Sequence, residues 1–578
     1  MNDNKFKRND LIAIIILCLI IGCLCVHSQY SFCQTDEPFY ISAVKRLYQG
    51  DRLILDEWHP TQFYTPILLP LYALYALFVP SLKGILLYFR IVDNLFAGFV
   101  SVMWYKTMKK KHGIGLSLTT ACIFLLFSRA NISGPSYYNL CMRFVILFWT
   151  LVVFSMQTDI SSRRQKLYGW LAGGFLSLAV LCQPYLAVFV VVAMVVLLSI
   201  KKTRKKSISF CIGILCMALL YFIFFLTKGN IGEYFRNLKY ILSDPEHQTT
   251  IHNRIGKIGY VFLQSNSYFV IFCVAVSCVW IMIMWWKKKT IFNGFWCFQL
   301  IVCGLSIIKP LLRIHEIPCY AFLGAFAFSI FPSVLLAVLN KKWEESVMLY
   351  VVGLAVAGAF AMGSNTGYDA VQTGLCISAA AGILLMGNHL NIHFSKRQIN
   401  GKMPLAVLCV IMLVFMGLQH WFGIYKDASM PLLTERLEDG PAAGLLTSEE
   451  NARQYRTIYQ TLQNESIFQD HNAKIIHSKH APWAYLCRGN ECGAATTWMC
   501  ELSNPQTEEY MDTHPAQSLY VCVYDEGVGF NLESPFNRHI EDRHFNAQKL
   551  EGSFYELILF DGNKVYQDEY LTVYYLKR

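Results

Sequence analysis

The chain is a succession of long apolar runs separated by short clusters of lysine and arginine, and this pattern leaves few folds open to it. Leu11–Val26 comes first. Further runs cover about 61–80, 85–105, 114–129, 137–157, 167–182, 184–200, 207–227, 267–286, 291–308, 317–340, 346–363, 368–387 and 403–425. Runs of this length cross a bilayer as helices, because every backbone N–H and C=O must find a partner where water is absent. The chain is 54% hydrophobic and 15% charged, with a mean hydropathy of +0.37. A soluble globular protein is excluded, and a polytopic α-helical membrane protein is the expected class.

The basic clusters set the topology. They are Lys106 with Lys109–Lys111, Arg163-Arg164 with Lys166, Lys201-Lys202 with Arg204–Lys206, Lys287–Lys289, Lys341-Lys342, and Lys396-Arg397 with Lys402. If segment 61–80 spans the membrane, every one of them falls outside. If it does not, all six lie inside with Lys5, Lys7 and Arg8, and 13 spans remain. The second arrangement obeys the rule that positive loops stay inside. Pro66, Pro70 and Pro80 also suit a broken interfacial helix. The expectation is a multi-pass cell-membrane protein with a cytoplasmic N-terminus and a transmembrane domain over 1–425. An outer interfacial loop covers 28–84 and a second outer loop covers 229–266. Residues 426–578 form a small extracytoplasmic α/β domain, with a helix at 447–464 and strands at 473–478, 518–525, 555–560 and 571–577, the last two joined by a hairpin-like turn. The net charge of +11 is accounted for by these clusters, so nucleic acid is not an expected partner. Cysteines such as Cys122, Cys211 and Cys376 sit inside apolar runs, where a thiol acts as a small hydrophobe. Cys487 and Cys492 form either a disulfide or two free thiols. No paired spacing of zinc type occurs.

The chemistry-bearing feature is Asp36-Glu37, just past the first apolar run, in Gln34-Thr35-Asp36-Glu37-Pro38-Phe39-Tyr40. One acid is explained as a helix cap before a first-turn proline, with Gly50 closing the helix. A carboxylate held at the membrane surface is equally suited to take a proton from an attacking hydroxyl. Lys309, Arg313 and His315 fall on the outer rim, where cations bind phosphate or merely anchor their spans by snorkelling. His59 and His247 lie in the two outer loops, as site contacts or as loop residues. Arg90 and Asp93, three apart on one helix, are expected to pair with each other. Arg143 has no evident local partner.

The acid pair after the first span, then Glu37-Pro38-Phe39-Tyr40, Gly50-Asp51 and His59-Pro60 before a proline-bearing apolar run, resembles the GT-C superfamily of membrane glycosyltransferases. It is most similar to the protein O-mannosyltransferase and aminoarabinose-transferase group (glycosyltransferase family 39-like). The span count and the two outer regions match that group. The resemblance implies inverting transfer of a sugar, hexosyl or pentosyl, from a polyprenyl-phosphate donor to a glycan, lipid or protein acceptor on the outer face. It implies Asp36 as general base, with Glu37 beside it. A divalent metal is used by some members only, so no cofactor is fixed. A lipid or glycan transporter is the alternative, for which matched broken helices in two halves would speak; none is detected. A non-catalytic scaffold would leave the acid pair and the cationic rim unexplained.

Overall fold

Among the described residues of the computed structural model, ten helices are long and apolar enough to cross a membrane. The structure describes residues 2–156, 161–199, 201–242, 250–288, 294–313, 318–364, 366–394, 397–400, 402–478, 481–498, 505–524 and 562–577. Its helices are α1 (Asn2–His27), α2 (Asp36–Gln49), α3 (Thr65–Phe78), α4 (Ile85–His112), α5 (Ile114–Leu126), α6 (Tyr137–Met156), α7 (Ser162–Cys182), α8 (Leu186–Ser199), α9 (Lys201–Leu226), α10 (Ile231–Leu242), α11 (Ile251–Ser265), α12 (Tyr268–Trp286), α13 (Gly294–Leu312), α14 (Ala321–Leu339), α15 (Glu345–Gly363), α16 (Tyr368–His389), α17 (Lys402–Phe422), α18 (Glu449–Gln463) and α19 (Pro505–Thr513). The ten are α1, α4, α6, α9 and α12–α17. The other three expected spans coincide with α5 and α8, which are apolar but shorter, and with α7, whose first turn carries Arg163 and Arg164. α3 has 14 residues, about 21 Å at helical rise, too short for a hydrocarbon core of about 30 Å. α5, with 13 residues, and α8, with 14, are equally short, so length does not separate this segment from two of the expected spans.

α16 is the central helix: 94% of its apolar stretch is buried, against 22% for α1 and 17% for α9. It packs closely on α15 because Gly353 and Gly374 face each other. A Cβ at Gly374 would lie 2.2 Å from the Ala357 backbone nitrogen, so no larger residue fits without moving a helix.

The strands are β1 (Asn391–Phe394), β2 (Arg397–Asn400), β3 (Glu435–Arg436), β4 (Leu446–Thr447), β5 (Lys474–His477), β6 (Ser518–Tyr524), β7 (Asn563–Gln567) and β8 (Leu571–Lys577). The last four form one sheet in the order β5-β6-β8-β7. β5 is parallel to β6, and the other pairs are antiparallel. The hairpin partner of β8 is therefore β7, and its turn runs through Asp568, whose Oδ1 accepts from the Tyr570 and Leu571 amides at 2.8 Å. The expected strand 555–560 lies outside the described residues. Cys487 and Cys492 are free thiols, donating to the Trp483 and Ala494 carbonyls respectively.

α2 is the element that positions the site. It is buried from Asp36 to Leu47, sandwiched between the apolar helices and the C-terminal sheet region. Lys45 Nζ donates to the Tyr485 carbonyl at 2.5 Å and to that of Arg488. The Ser42 and Thr497 hydroxyls bond at 2.7 Å. Gly50 ends the helix as expected: its φ of +114° is open to glycine at little cost, and its N–H turns back to the Arg46 and Leu47 carbonyls.

Candidate active site

Asp36 and Glu37 open α2, yet neither caps it. The N-cap is Thr35, without a side-chain cap bond. The two acids instead face different partners. Glu37 is locked: Arg90 Nε and Nη2 each lie 2.5 Å from one of its oxygens, with both side chains 1% exposed. The same guanidinium holds the Ser28 and Tyr30 carbonyls at 2.8 and 2.9 Å, so this pair fixes the chain between α1 and α2 onto α4. Gly134 packs over Glu37, and a Cβ there would sit 3.4 Å from Glu37 Cγ.

The expected Arg90–Asp93 pair is thus corrected. Asp93 binds Arg143 instead, within the helical bundle. Helical spacing allowed the local pair. A buried guanidinium, however, gains more from a bidentate carboxylate than from a single neighbour on its own helix. Arg143, without a local partner in the sequence, finds one 50 residues away.

Asp36 is arranged differently. Its Oδ2 accepts from Lys426 Nζ at 2.6 Å, the Tyr425 hydroxyl at 2.8 Å and the Thr35 hydroxyl at 3.1 Å. No bond to Oδ1 exists among the described residues, and the side chain keeps 12% of its surface exposed. One oxygen is held and the other is presented. Burial works to raise the carboxyl's pKa. Lys426 and then Arg129, with hydrogen bonds from Lys426 and Tyr425, outweigh burial and hold it below the usual carboxylate range.

Arg129 escaped the sequence reading. It lies between α5 and α6 in a turn where Ala130 and Asn131 both have positive φ, +51° and +57°. Asn131 is held there by Nδ2 donations to the Gln419 and Gly423 carbonyls at 2.7 and 3.0 Å, and by the Tyr320 hydroxyl. These bonds stabilise a conformation that is costly for Ala130. The Arg129 guanidinium lies 4.6 Å from the Tyr138 ring centroid. The residue is 5% exposed, its Nε has no hydrogen-bond partner and no carboxylate pairs with it among the described residues. The available signal was an arginine in a short loop that the positive-inside arrangement places outside.

His59 is buried against Phe39, ring centroids 4.6 Å apart, and its Nδ1 accepts from the Thr61 amide. Phe39 lies one turn after Asp36, so the structure brings His59 to the site's edge. Lys309 donates to the Leu263 and Asn266 carbonyls at 3.1 and 2.8 Å, at the end of α11, and Arg313 lies in the turn after α13. No described bond links Lys309 to the Asp36 group. His247 and His315 lie outside the described residues. Among the described residues no three His, Cys, Asp or Glu side chains converge as a metal site would need.

Lys426 and Tyr425 follow the last long helix. The next residue, Asp427, is fully buried. It accepts from the Phe32 amide at 2.6 Å, and from the Ala428 amide, the Thr447 hydroxyl and the Asn451 amide nitrogen at 2.7 Å each. Asp427 therefore ties the stretch before Asp36, the end of the helical region and the start of the C-terminal region into one unit.

No family model matches the sequence, and no curated protein matches it. Among solved structures the chain is similar to ArnT from Cupriavidus metallidurans in the apo state, with a TM-score of 0.43 and 9% identity over 98% of each chain. ArnT bound to undecaprenyl phosphate gives 0.41 and 9%, over 98% of this chain and 97% of that one. The archaeal oligosaccharyltransferase AglB from Archaeoglobus fulgidus, in complex with an inhibitory peptide and a dolichol-phosphate, gives 0.46 and 10%, over 88% of this chain and 69% of that one. These are GT-C membrane glycosyltransferases. At 9–10% identity and these TM-scores, none of the superpositions assigns a role to a residue of this chain.

Proposed function

We propose that this chain is a membrane glycosyltransferase that moves a sugar from a polyprenyl-phosphate donor to an acceptor hydroxyl at the outer face of the membrane, with inversion and with Asp36 as general base. The observation that carries the reading is the asymmetric Asp36 carboxylate, tethered through Oδ2 and open at Oδ1, with the half-buried Lys426 and the buried Arg129 as the cations that favour its charged form. In this reading Oδ1 takes the proton of the acceptor hydroxyl as its oxygen bonds to the sugar's anomeric carbon. The bond from that carbon to the phosphate oxygen breaks, and polyprenyl phosphate leaves with the electron pair. Lys426 and Arg129 stabilise the growing phosphate charge where little water competes. Glu37, held at both oxygens by Arg90, positions α2. Lys309, Arg313 and His315 are retained as outer-rim residues for the donor head group, and His59 and His247 as contacts of the bound sugar. The N-terminus is cytoplasmic, and residues 426–578 lie on the side of the chemistry.

The test incubates purified protein with radiolabelled polyprenyl-phosphate sugars and membrane extract. Wild type forms a labelled product and Asp36→Asn, equally inserted, does not. No product from wild type with any donor, or full activity in Asp36→Asn, overturns the proposal.

A further inference from the structure

The C-terminal region sends the Trp498 side chain to Lys426, the cation that holds Asp36. Residues 495–498 are fastened to the membrane-side elements: the Trp58 amide donates to the Ala495 carbonyl at 2.8 Å, and the Thr497 and Ser42 hydroxyls bond at 2.7 Å. The Trp498 amide donates to the Thr496 hydroxyl at 3.1 Å. This tether delivers the Trp498 ring edge-on to Phe39, with centroids 5.1 Å apart, and 6.3 Å from His59. The Lys426 ammonium that holds Asp36 at 2.6 Å lies 5.9 Å from the same ring. One cation thus bridges the indole and the carboxylate. Phe39 and His59 are buried, while Trp498 remains half-buried.

We propose that Trp498, backed by Phe39 and His59, is a carbohydrate platform that seats a sugar ring beside Asp36; this rests on the glycosyl-transfer reading above. An aromatic face is electron-rich. The C–H bonds on one face of a pyranose carry partial positive charge, so the ring lies flat on an indole while its hydroxyls point sideways toward polar groups. Here those polar groups are Asp36 and Lys426. The ring seated on Trp498 is that of the donor or that of a glycan acceptor, and the two sources separate experimentally.

Trp498→Leu keeps apolar bulk and removes the π-face; Trp498→Phe keeps a smaller one. Both are compared with wild type by thermal unfolding in detergent, then titrated with two probes: the polyprenyl-phosphate sugar that wild type turns over, and the same polyprenyl phosphate without sugar. A donor-sugar platform predicts a loss of affinity of about fivefold to tenfold for the sugar-bearing lipid in Trp498→Leu, a smaller loss in Trp498→Phe, and unchanged binding of the bare phosphate. An acceptor platform predicts unchanged donor binding and a rise of similar size in the acceptor KM. If Trp498→Leu does not fold, Trp498→Phe decides, with a loss of about twofold or more required on one arm. Superimposable donor and acceptor curves, or an equal loss for the bare phosphate, overturn the platform while the Asp36→Asn result stands. A wild type that turns over no donor overturns the underlying reading and the platform with it.

Discussion

Lys426 Nζ lies 2.6 Å from Asp36 Oδ2, across 390 residues of sequence. The ammonium belongs to the connection that leads out of the last apolar helix, and the carboxylate to the helix that follows the first. Because Lys426 is the first opposing charge that keeps Asp36 ionised against its burial, it sets the pH at which the proposed base is available.

Lys426→Met is therefore expected to move the acid limb of the pH–rate profile upward. The sign follows from linkage. A carboxyl with a depressed folded pKa contributes stability above its unfolded value and loses it as pH falls through the folded value. Removing Lys426 lets burial dominate, so protonation and loss of activity begin at higher pH. Rates measured from about pH 4 to 8 check this. An unmoved acid limb would show that Asp36 is not the titrating base.

The two acids should separate cleanly under conservative substitution. Asp36→Asn keeps shape and the hydroxyl bonds but loses the ion pair with Lys426, whose side chain is 11% exposed, so the thermal midpoint falls less than in Glu37→Gln while transfer falls by about 10²-fold or more. Glu37→Gln leaves Arg90 buried without a counter-charge, which costs about 3–5 kcal/mol. The thermal midpoint then drops, and the activity lost tracks the folded fraction. The reverse pattern would exchange the roles of the two residues.

Much of this was legible in the chain because local physics decides it. Apolar runs of about 20 residues gave the long helices. Asp36-Glu37 stood out because two acids at a membrane surface need a reason. The partners did not stand out. Lys426 and Arg129 come to act on Asp36, and Trp498 reaches Lys426, only through tertiary packing, and a lysine after a span looks like any anchoring lysine. The Arg90–Asp93 pairing failed because spacing on a helix shows which residues can meet, not which competing partner binds better. The β7–β8 hairpin was missed because its turn, Gln567-Asp568-Glu569-Tyr570, carries no glycine to mark it.

Asp427 accepts four hydrogen bonds from both sides of the site's seam, so Asp427→Ala is expected to loosen the C-terminal region from α2. Stranding buried amides costs about 1–3 kcal/mol each, so a loss of about 3 kcal/mol is a low expectation. Limited proteolysis near residues 426–448 should accelerate, and Lys426 should lose its fixed position. An unchanged digestion pattern with wild-type transfer would show that the hub plays no part in holding the site.

The orientation proposed here places Lys109–Lys111 and Asp36 on opposite sides of the membrane. Reporter fusions after Lys111 and after Tyr425 should report opposite compartments. Equal compartments would remove the outer-face assignment of the chemistry.

Arg129 offers the sharpest test of the donor. Its guanidinium is buried on the Tyr138 ring, its Nε lacks a hydrogen-bond partner among the described residues, and the turn that carries it is held in a costly conformation by Asn131. Its charge is met by the Tyr138 ring and, through space, by the Asp36 and Asp369 carboxylates, with no salt bridge to either among the described residues, which leaves the guanidinium able to take an anion. If that anion is the donor phosphate, Arg129→Met should weaken binding of the polyprenyl-phosphate sugar that wild type turns over by about 10- to 100-fold, the range of a lost charge-assisted bond. Arg129→Lys should recover only part of it, since an ammonium cannot offer the two-pronged contact. Losing this cation also removes one of the charges that hold Asp36 ionised, so the acid limb of the rate profile should move up in Arg129→Met. A destabilised variant with unaltered phosphate binding would assign Arg129 to the packing of Tyr138 and take it out of the site.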